Sequence, residues 1–300
     1  MKYIILIITT SFIFNISVRA DVNDTLIYNR CILDKKVTEN KEIKDKKEEL
    51  NNFIKENNYN LSIKYEDIIT GFSYEYTSNK IYYGASLIKL VDALYLIENA
   101  IKGQIDLSKE TIKYTKNYIK SSSEGLKTKK LTENISLKDL IYYAIKYSDN
   151  SAHFMLIDYI GLDNLKKYGQ SLGGKVILSS KDKYSYQTAE DTNKYLLKAY
   201  NIIKQNSYYG TFLKNIMNNN KYNSLNFKNV KVLHKYGLYA NNYHDIGLNI
   251  KDSHPYTISI LTLHLNDNYK EIIQKIHSKI IEIHTHYWND RNYTCYKTIS

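Results

Sequence analysis

Gly84-Ala85-Ser86-Leu87-Ile88-Lys89-Leu90, continued by Val91-Asp92-Ala93-Leu94-Tyr95-Leu96-Ile97, is the stretch on which the reading of this chain turns. A helix that is apolar on nearly every side is a buried helix. A lysine is almost never fully buried without a partner. Ser86 and Lys89 stand three residues apart, so on a helix they share one face. A hydroxyl beside a desolvated amine can be an activated nucleophile. Standing alone, Ser-x-x-Lys occurs often by chance, and Lys89 would read as a structural lysine that pairs with Asp92 or snorkels.

Two further short motifs follow in order. Ser148-Asp149-Asn150 ends a helical segment, and His234-Lys235-Tyr236-Gly237 lies on a stretch of strand character. Each is weak by itself, since Ser-Asp-Asn caps helices well and a strand lysine is usually solvated. Their order, and their placement on helix, loop and strand, make the combination specific.

Outward from these motifs the pattern is mixed. Met1-Lys2, an apolar run from Tyr3 to Val18 and Val18-Arg19-Ala20 read as a secretory signal peptide over residues 1–20, with an uncleaved N-terminal anchor as the alternative. Residues 21–38 read as a polar tail. Ile43, Leu50, Phe53 and Ile54 recur at helical spacing among charges. Leu61 to Tyr65 and Ile68 to Tyr76 read as strands turning at Glu66-Asp67. Residues 100 to about 220 are mostly helical, including Leu137 to Tyr147, Ala152 to Ile160 and Asp191 to Gln205. Strand character returns at Val230 to Tyr236, Asp245 to Ile250 and Tyr256 to Leu265. A final helix places Ile272, Ile273, Ile276, Ile280, Ile283 and Tyr287 on one stripe. An α/β layer built from both ends of the chain thus brackets a helical insertion.

Composition excludes some partners. The 300 residues carry 42 Lys and Arg against 31 Asp and Glu, a formal charge of +11. The lysines are scattered, with no Arg-rich or aromatic-interleaved patch of the kind that binds nucleic acid. A mild attraction to anionic cell-wall polymers or membrane surfaces remains open. Cys31 and Cys295 form either a disulfide or two free thiols in the tails. His277, His284 and His286 hint at a metal, but without carboxylate partners they read as surface residues. His153 and His234 read as packed or hydrogen-bonded, and Asp149 and Asp245 as loop anchors.

Taken together the three motifs resemble those of the penicillin-recognising (β-lactamase/transpeptidase) superfamily, and its class A β-lactamase-like branch above all. Gly103-Gln104-Ile105-Asp106-Leu107, Tyr147-Ser148-Asp149-Asn150-Ser151-Ala152 and His244-Asp245-Ile246-Gly247 add to the resemblance, which runs from about Glu39 to Tyr287. It implies an α/β (α+β) fold: an antiparallel sheet of about five strands flanked by N- and C-terminal helices, with an all-helical insertion. Residues 39–85 plus 225–290 would form the α/β domain, 86–224 the helical domain and 291–300 a tail. Ser86 would be the acylated nucleophile and Lys89 would take its proton. Ser148 would relay a proton to the leaving nitrogen, and Asn150 would hold the substrate's amide side chain. Lys235 and Tyr236 would meet the substrate carboxylate, and Gly237 would let substrate backbone lie against the strand. The N–H groups of Ser86 and Leu238 would form the oxyanion hole.

Two departures bear on the activity. Tyr236 stands where that family usually has Thr or Ser. The loop that in class A enzymes carries a Glu and, four residues on, an Asn corresponds here to residues 173–187, which contain no Glu. Glu190 has Asn193 three residues later and reads as a helix start capped by Thr188. The expected function is an exported or cell-envelope serine acyl-enzyme hydrolase acting on β-lactams or peptidoglycan-stem-type amides. It would be a weak β-lactamase, a monomer without cofactor or metal, and would touch membrane only if the leader is uncleaved. The alternatives are a non-catalytic or weakly catalytic cell-wall-sensing module, and an esterase or D-peptidase.

Overall fold

Two strands from the start of the chain and three from its end assemble one central sheet in the computed structural model. It describes residues 22–34, 39–175, 177–178, 183–218, 222–250, 253–265 and 268–298. The leader read over residues 1–20 lies outside them. The elements run α1 (Val22–Leu33), α2 (Lys41–Glu56), β1 (Leu61–Asp67), β2 (Ser73–Tyr76), β3 (Tyr82–Tyr83), α3 (Ile88–Ile101), β4 (Thr111–Lys113) and β5 (Asn134–Ser136). Then come α4 (Leu137–Lys146), α5 (Asn150–Ile160), α6 (Leu162–Ser171), β6 (Ile177–Leu178), β7 (Ser185–Gln187), α7 (Ala189–Ile203) and α8 (Tyr208–Met217). Finally β8 (Leu233–Tyr239), β9 (Asn242–Asn249), β10 (Tyr256–Thr262) and α9 (Tyr269–Lys297) complete the chain.

The sheet has five antiparallel strands in the order β2-β1-β10-β9-β8. Period-two alternation sends successive side chains to opposite faces. Ile63 and Tyr65 of β1 and Ile258 and Ile260 of β10 join Ile43, Leu50 and Ile54 of α2 and Ile276, Ile280 and Ile283 of α9 in one core. Each fully buried isoleucine there contributes roughly 1.5–3 kcal/mol. The residues between them face α7: Asn193 donates to Glu66 (2.8 Å), Thr257 donates to Asn193 (2.5 Å), and Lys64 lies 3.3 Å from Glu190. Beyond α7, helices α3 to α8 build a second core around Leu90, Leu94, Ile97, Leu140, Ile141 and Leu156.

Turn chemistry shifts one expected boundary. β1 continues through Asp67, and the turn spans residues 68–72. Asp67 Oδ1 accepts from the N–H of Ile69 and of Thr70 and from the Thr70 hydroxyl, while Gly71 supplies φ +76°. The other Asp67 oxygen accepts from Trp288 Nε1 at 2.8 Å, which ties the hairpin to α9.

Both expected tails are corrected. Residues 22–33 within the supposed polar tail form α1, and α9 continues through the supposed C-terminal tail to Lys297. One joins the other through a Cys31–Cys295 disulfide with Cα atoms 5.6 Å apart. Arg291 of α9 donates to the carbonyls of Cys31 (2.6 Å), Ile32 and Asp34. A guanidinium thereby satisfies acceptors that the end of α1 would leave bare. The histidines expected at the surface divide: His277 and His284 are buried, bonded to Tyr256 and Tyr65, and His286 is half-buried 3.0 Å from Glu42. Among the described residues no helix is long and apolar enough to cross a membrane.

The cross-link closes a loop with a sequence separation of 264 residues. The Cys31→Ser/Cys295→Ser double variant is therefore expected to lose roughly 2–5 kcal/mol of unfolding free energy. Urea melts with and without reductant check this. Coincident melts of wild type and variant under oxidising conditions would contradict it.

Candidate active site

The nucleophile candidate sits on a short 3₁₀ turn, Ala85–Leu87, that runs directly into α3. Ala85 is held at φ +46°, and Ser148, at the α4–α5 junction, at φ +54°. Such backbone costs of order 1–3 kcal/mol per residue and persists only where its surroundings over-determine it. At Ala85 the restraint is the Gly84 N–H bonded to the Ser185 carbonyl (2.8 Å) and the Leu87 N–H bonded to the Gly84 carbonyl (3.0 Å). Near Ser148, Asp149 caps α5 by accepting from Ala152 N–H, and its second oxygen accepts from Leu126 N–H. Asp149 is thus the loop anchor the sequence reading expects.

Lys89 is fully buried. Its Nζ lies 2.5 Å from the Ser148 carbonyl, 2.7 Å from Asn150 Oδ1, 3.0 Å from Ser86 Oγ and 3.3 Å from Ser148 Oγ. Desolvation pulls its pKa down to about 7, although the carboxylates of Asp149 and Asp92 oppose the shift. The hydrogen-bond inventory then fixes the direction of the lone pair. The Ser148 carbonyl and Asn150 Oδ1 can only accept, so they take both N–H bonds of a neutral amine. The lone pair is left to the Ser86 hydroxyl, which donates into it. Asp92, the alternative partner for Lys89, is instead bonded to His153 Nδ1 at 2.5 Å, so His153 is a packed, bonded histidine.

Asn150 is committed at both ends. Its Oδ1 accepts from Lys89 and its Nδ2 donates to the Ser121 carbonyl at 2.9 Å. It positions the base as well as lining the cleft. Lys235 is also fully buried, and donates to Ser148 Oγ (3.0 Å) and to the Tyr236 carbonyl (2.7 Å). Burial and then the neighbouring Lys89 push its pKa well below that of an ordinary lysine, against the pull of Asp245. Ser148 Oγ therefore stands between two buried amines and can pass a proton between them and a substrate atom.

The absent side chain of Gly237 has a use besides the one expected. A Cβ there would meet the Gly84 carbonyl at 2.8 Å and Leu87 at 3.1 Å. Glycine lets β8 press against the turn that carries Ser86. The same approach brings Leu238 and Ser86, the expected oxyanion pair, to one cleft.

That cleft has a volume of about 360 Å³. Ser86, Ser148 and Asn150 open onto it, with Glu124 on its lip and Tyr83, Tyr147, Tyr184, Tyr222, Tyr236 and Tyr239 around it. Sequence reasoning singled out only Tyr236 of these rings. The others are scattered in a chain with 31 tyrosines, so composition hides them. A larger hollow of about 470 Å³ near Ile54, Asn58 and Lys80 holds none of the motif residues. Glu190 does not line the cleft: it bridges Lys64 and Lys194. His234 lies 2.9 Å from Asp245, whose other oxygen accepts from the N–H groups of Ser224 and Leu225. Among the described residues no group of His, Cys, Asp and Glu is arranged to hold a metal.

Comparison with known proteins agrees with this geometry. The pattern of the beta-lactamase enzyme family matches residues 45–284. Among solved structures, a PBP-A variant in an acyl-enzyme complex with penicillin G superposes with a TM-score of 0.71 at 16% identity, covering 81% of this chain and 97% of that one. A class A beta-lactamase representative from Bacteroides cellulosilyticus DSM 14838 gives 0.67 at 21% identity, covering 80% and 98%. A beta-lactamase from Chitinophaga pinensis DSM 2588 gives 0.69 at 16%, covering 79% and 98%. These likenesses establish the fold. No curated protein sequence matches the chain.

Two outcomes follow from the geometry. If Lys89 accepts the Ser86 proton, acylation by a neutral activated ester rises with pH and levels off above an inflexion near 7, because protonation below it removes the lone pair. A rate flat from about pH 5 to 9 in stopped-flow traces would contradict this. Gly237→Ala forces β8 and the Ser86 turn apart, and should cost about 1–3 kcal/mol in a denaturant melt together with slower acylation.

Proposed function

Because the chain belongs to the beta-lactamase enzyme family, we propose that it is an exported serine acyl-enzyme hydrolase acting on β-lactam or cell-wall-type peptide amides. Ser86 Oγ attacks the carbonyl carbon as its proton passes to Lys89. Main-chain N–H groups of Ser86 and Leu238 receive the developing oxyanion. The C–N bond then breaks, and the leaving nitrogen takes a proton from Ser148, which is resupplied from Lys89. Water later cleaves the ester and restores Ser86. The observation that carries this reading is a fully buried amine, its pKa drawn down to about 7, that lies 3.0 Å from a hydroxyl opening onto a cleft.

Release of the acyl group is the slow step in this reading. Residues 173–187 contain no Glu, and Glu190 is committed to Lys64 and Lys194. A positioned general base is typically worth about 10²–10⁴ in rate. Its lack would leave the acyl-enzyme to accumulate. Export rests on the leader-like residues 1–20.

Incubation with a fluorescent penicillin tests the assignment. The expected result is a label stable on denaturing gels, absent in Ser86→Ala and Lys89→Ala. Nitrocefin turnover should trail acylation by roughly 100-fold or more. No label and no turnover of simple esters would sink the enzymatic reading, and rapid nitrocefin turnover would show that another group activates the water.

A further inference from the structure

We infer that Tyr236 closes the lysine subsite at Lys235, so that a leaving-group carboxylate such as penicillin carries gains no ionic contact there, and acyl donors uncharged on that side are taken at least as readily. The inference rests on acyl transfer at Ser86 and concerns which donors that site accepts.

The neighbours of Lys235 Nζ leave none of its directions open. Beyond its bond to Cε, a lysine nitrogen has three directions in which to meet a partner. One goes to Ser148 Oγ at 3.0 Å and one to the Tyr236 carbonyl at 2.7 Å. The third direction is covered by the Tyr236 ring, whose centroid lies 4.2 Å from Nζ. A lysine nitrogen set against an aromatic face has its N–H met without an anion. Lys235 has no exposed surface, so a substrate carboxylate would have to displace the ring to reach it.

The ring itself is held. Tyr236 is 7% exposed, and Tyr222 packs edge-on against it at 5.1 Å. Burial pushes the Tyr236 phenol up to about 12, so it stays neutral and adds no charge to the cleft. The remaining walls agree. Among the described residues lining the cleft there is no Lys or Arg, whereas Glu124 and a series of tyrosine faces are present. Such walls stack on planar, uncharged groups and give an anion nothing to pair with. Ser148 fixes which side this is, because the hydroxyl that serves the leaving atom is the one bonded to Lys235.

A matched pair of donors tests the inference: two thioesters identical except that the leaving group ends in a free carboxylate or in its carboxamide. Single-turnover acylation of Ser86 is followed by mass spectrometry, with Ser86→Ala as the blank. Wild type is expected to acylate with the carboxamide at least as fast as with the carboxylate. Tyr236→Thr, which uncovers Lys235, should swing that ratio about tenfold or more toward the carboxylate. Tyr236→Phe keeps the ring and should keep the ratio, and it decides the matter should the threonine variant not fold. A tenfold wild-type preference for the carboxylate, or an unchanged ratio in a folded Tyr236→Thr, overturns the inference. Absence of any Ser86-dependent acylation from either donor would instead remove the acyl-transfer reading beneath it.

Discussion

Removing Lys89 from water is the constraint on which the rest of this structure depends. An isolated ammonium in an apolar interior is too costly to keep, so it must either find partners or give up its proton. Here it does both. Helix α3 is buried on every side but the edge of Tyr95, Glu98 and Asn99, which takes water away from Lys89, and the Ser148 carbonyl and Asn150 Oδ1 accept from its nitrogen. The unusual backbone at Ala85 and Ser148 follows from that demand, since both residues bend the chain to bring a hydroxyl or a carbonyl to one nitrogen.

The walls of the site are tied to the sheet by neutral histidines. His244 accepts from the Thr262 N–H at Nδ1 and so donates from Nε2 to the Tyr83 carbonyl (2.8 Å), and burial holds its pKa down at about 4. His277 bonds the Leu225 carbonyl at one nitrogen and Tyr256 at the other, and is likewise held at about 4. These rings act as fixed-length polar connectors between strand, loop and helix. His244 thereby keeps Tyr83 of the aromatic lip registered with β9 and β10, beside the strand that carries Lys235.

How much of this was legible follows from where each signal lies in the sequence. Lys89 was visible because a charge interrupts an apolar helix, and its partners because they recur in short motifs. The strands and helices with strong periodicity fell within a few residues of their observed ends. α1 was not legible, because what holds it is Cys295 and Arg291, more than 250 residues away. The turn after β1 was displaced because Asp67 serves at once as strand end, turn cap and partner of Trp288. Gly237 reads as room for substrate backbone along the strand, and only three dimensions show that its missing side chain also makes room for the Gly84 carbonyl. The cover on Lys235 was hidden for a similar reason. A substitution at one letter shows that a hydroxyl has become a phenol, but not that its ring folds back over the preceding residue's side-chain nitrogen.

The sheet order carries a consequence for the life of the chain before it is folded. β1, near the start, has β10 as one of its two neighbours, and β10 in turn joins it to β9 and β8. A growing polypeptide therefore has no completed platform on which to lay its first strand until residue 262 has been made. α2 cannot seal its apolar face before α9 follows. Pairings of such long sequence separation are slow to close and leave apolar edges open while they wait. The nascent chain must spend most of its synthesis as an unassembled thread, with its last helix acting as the clasp that makes the whole cooperative.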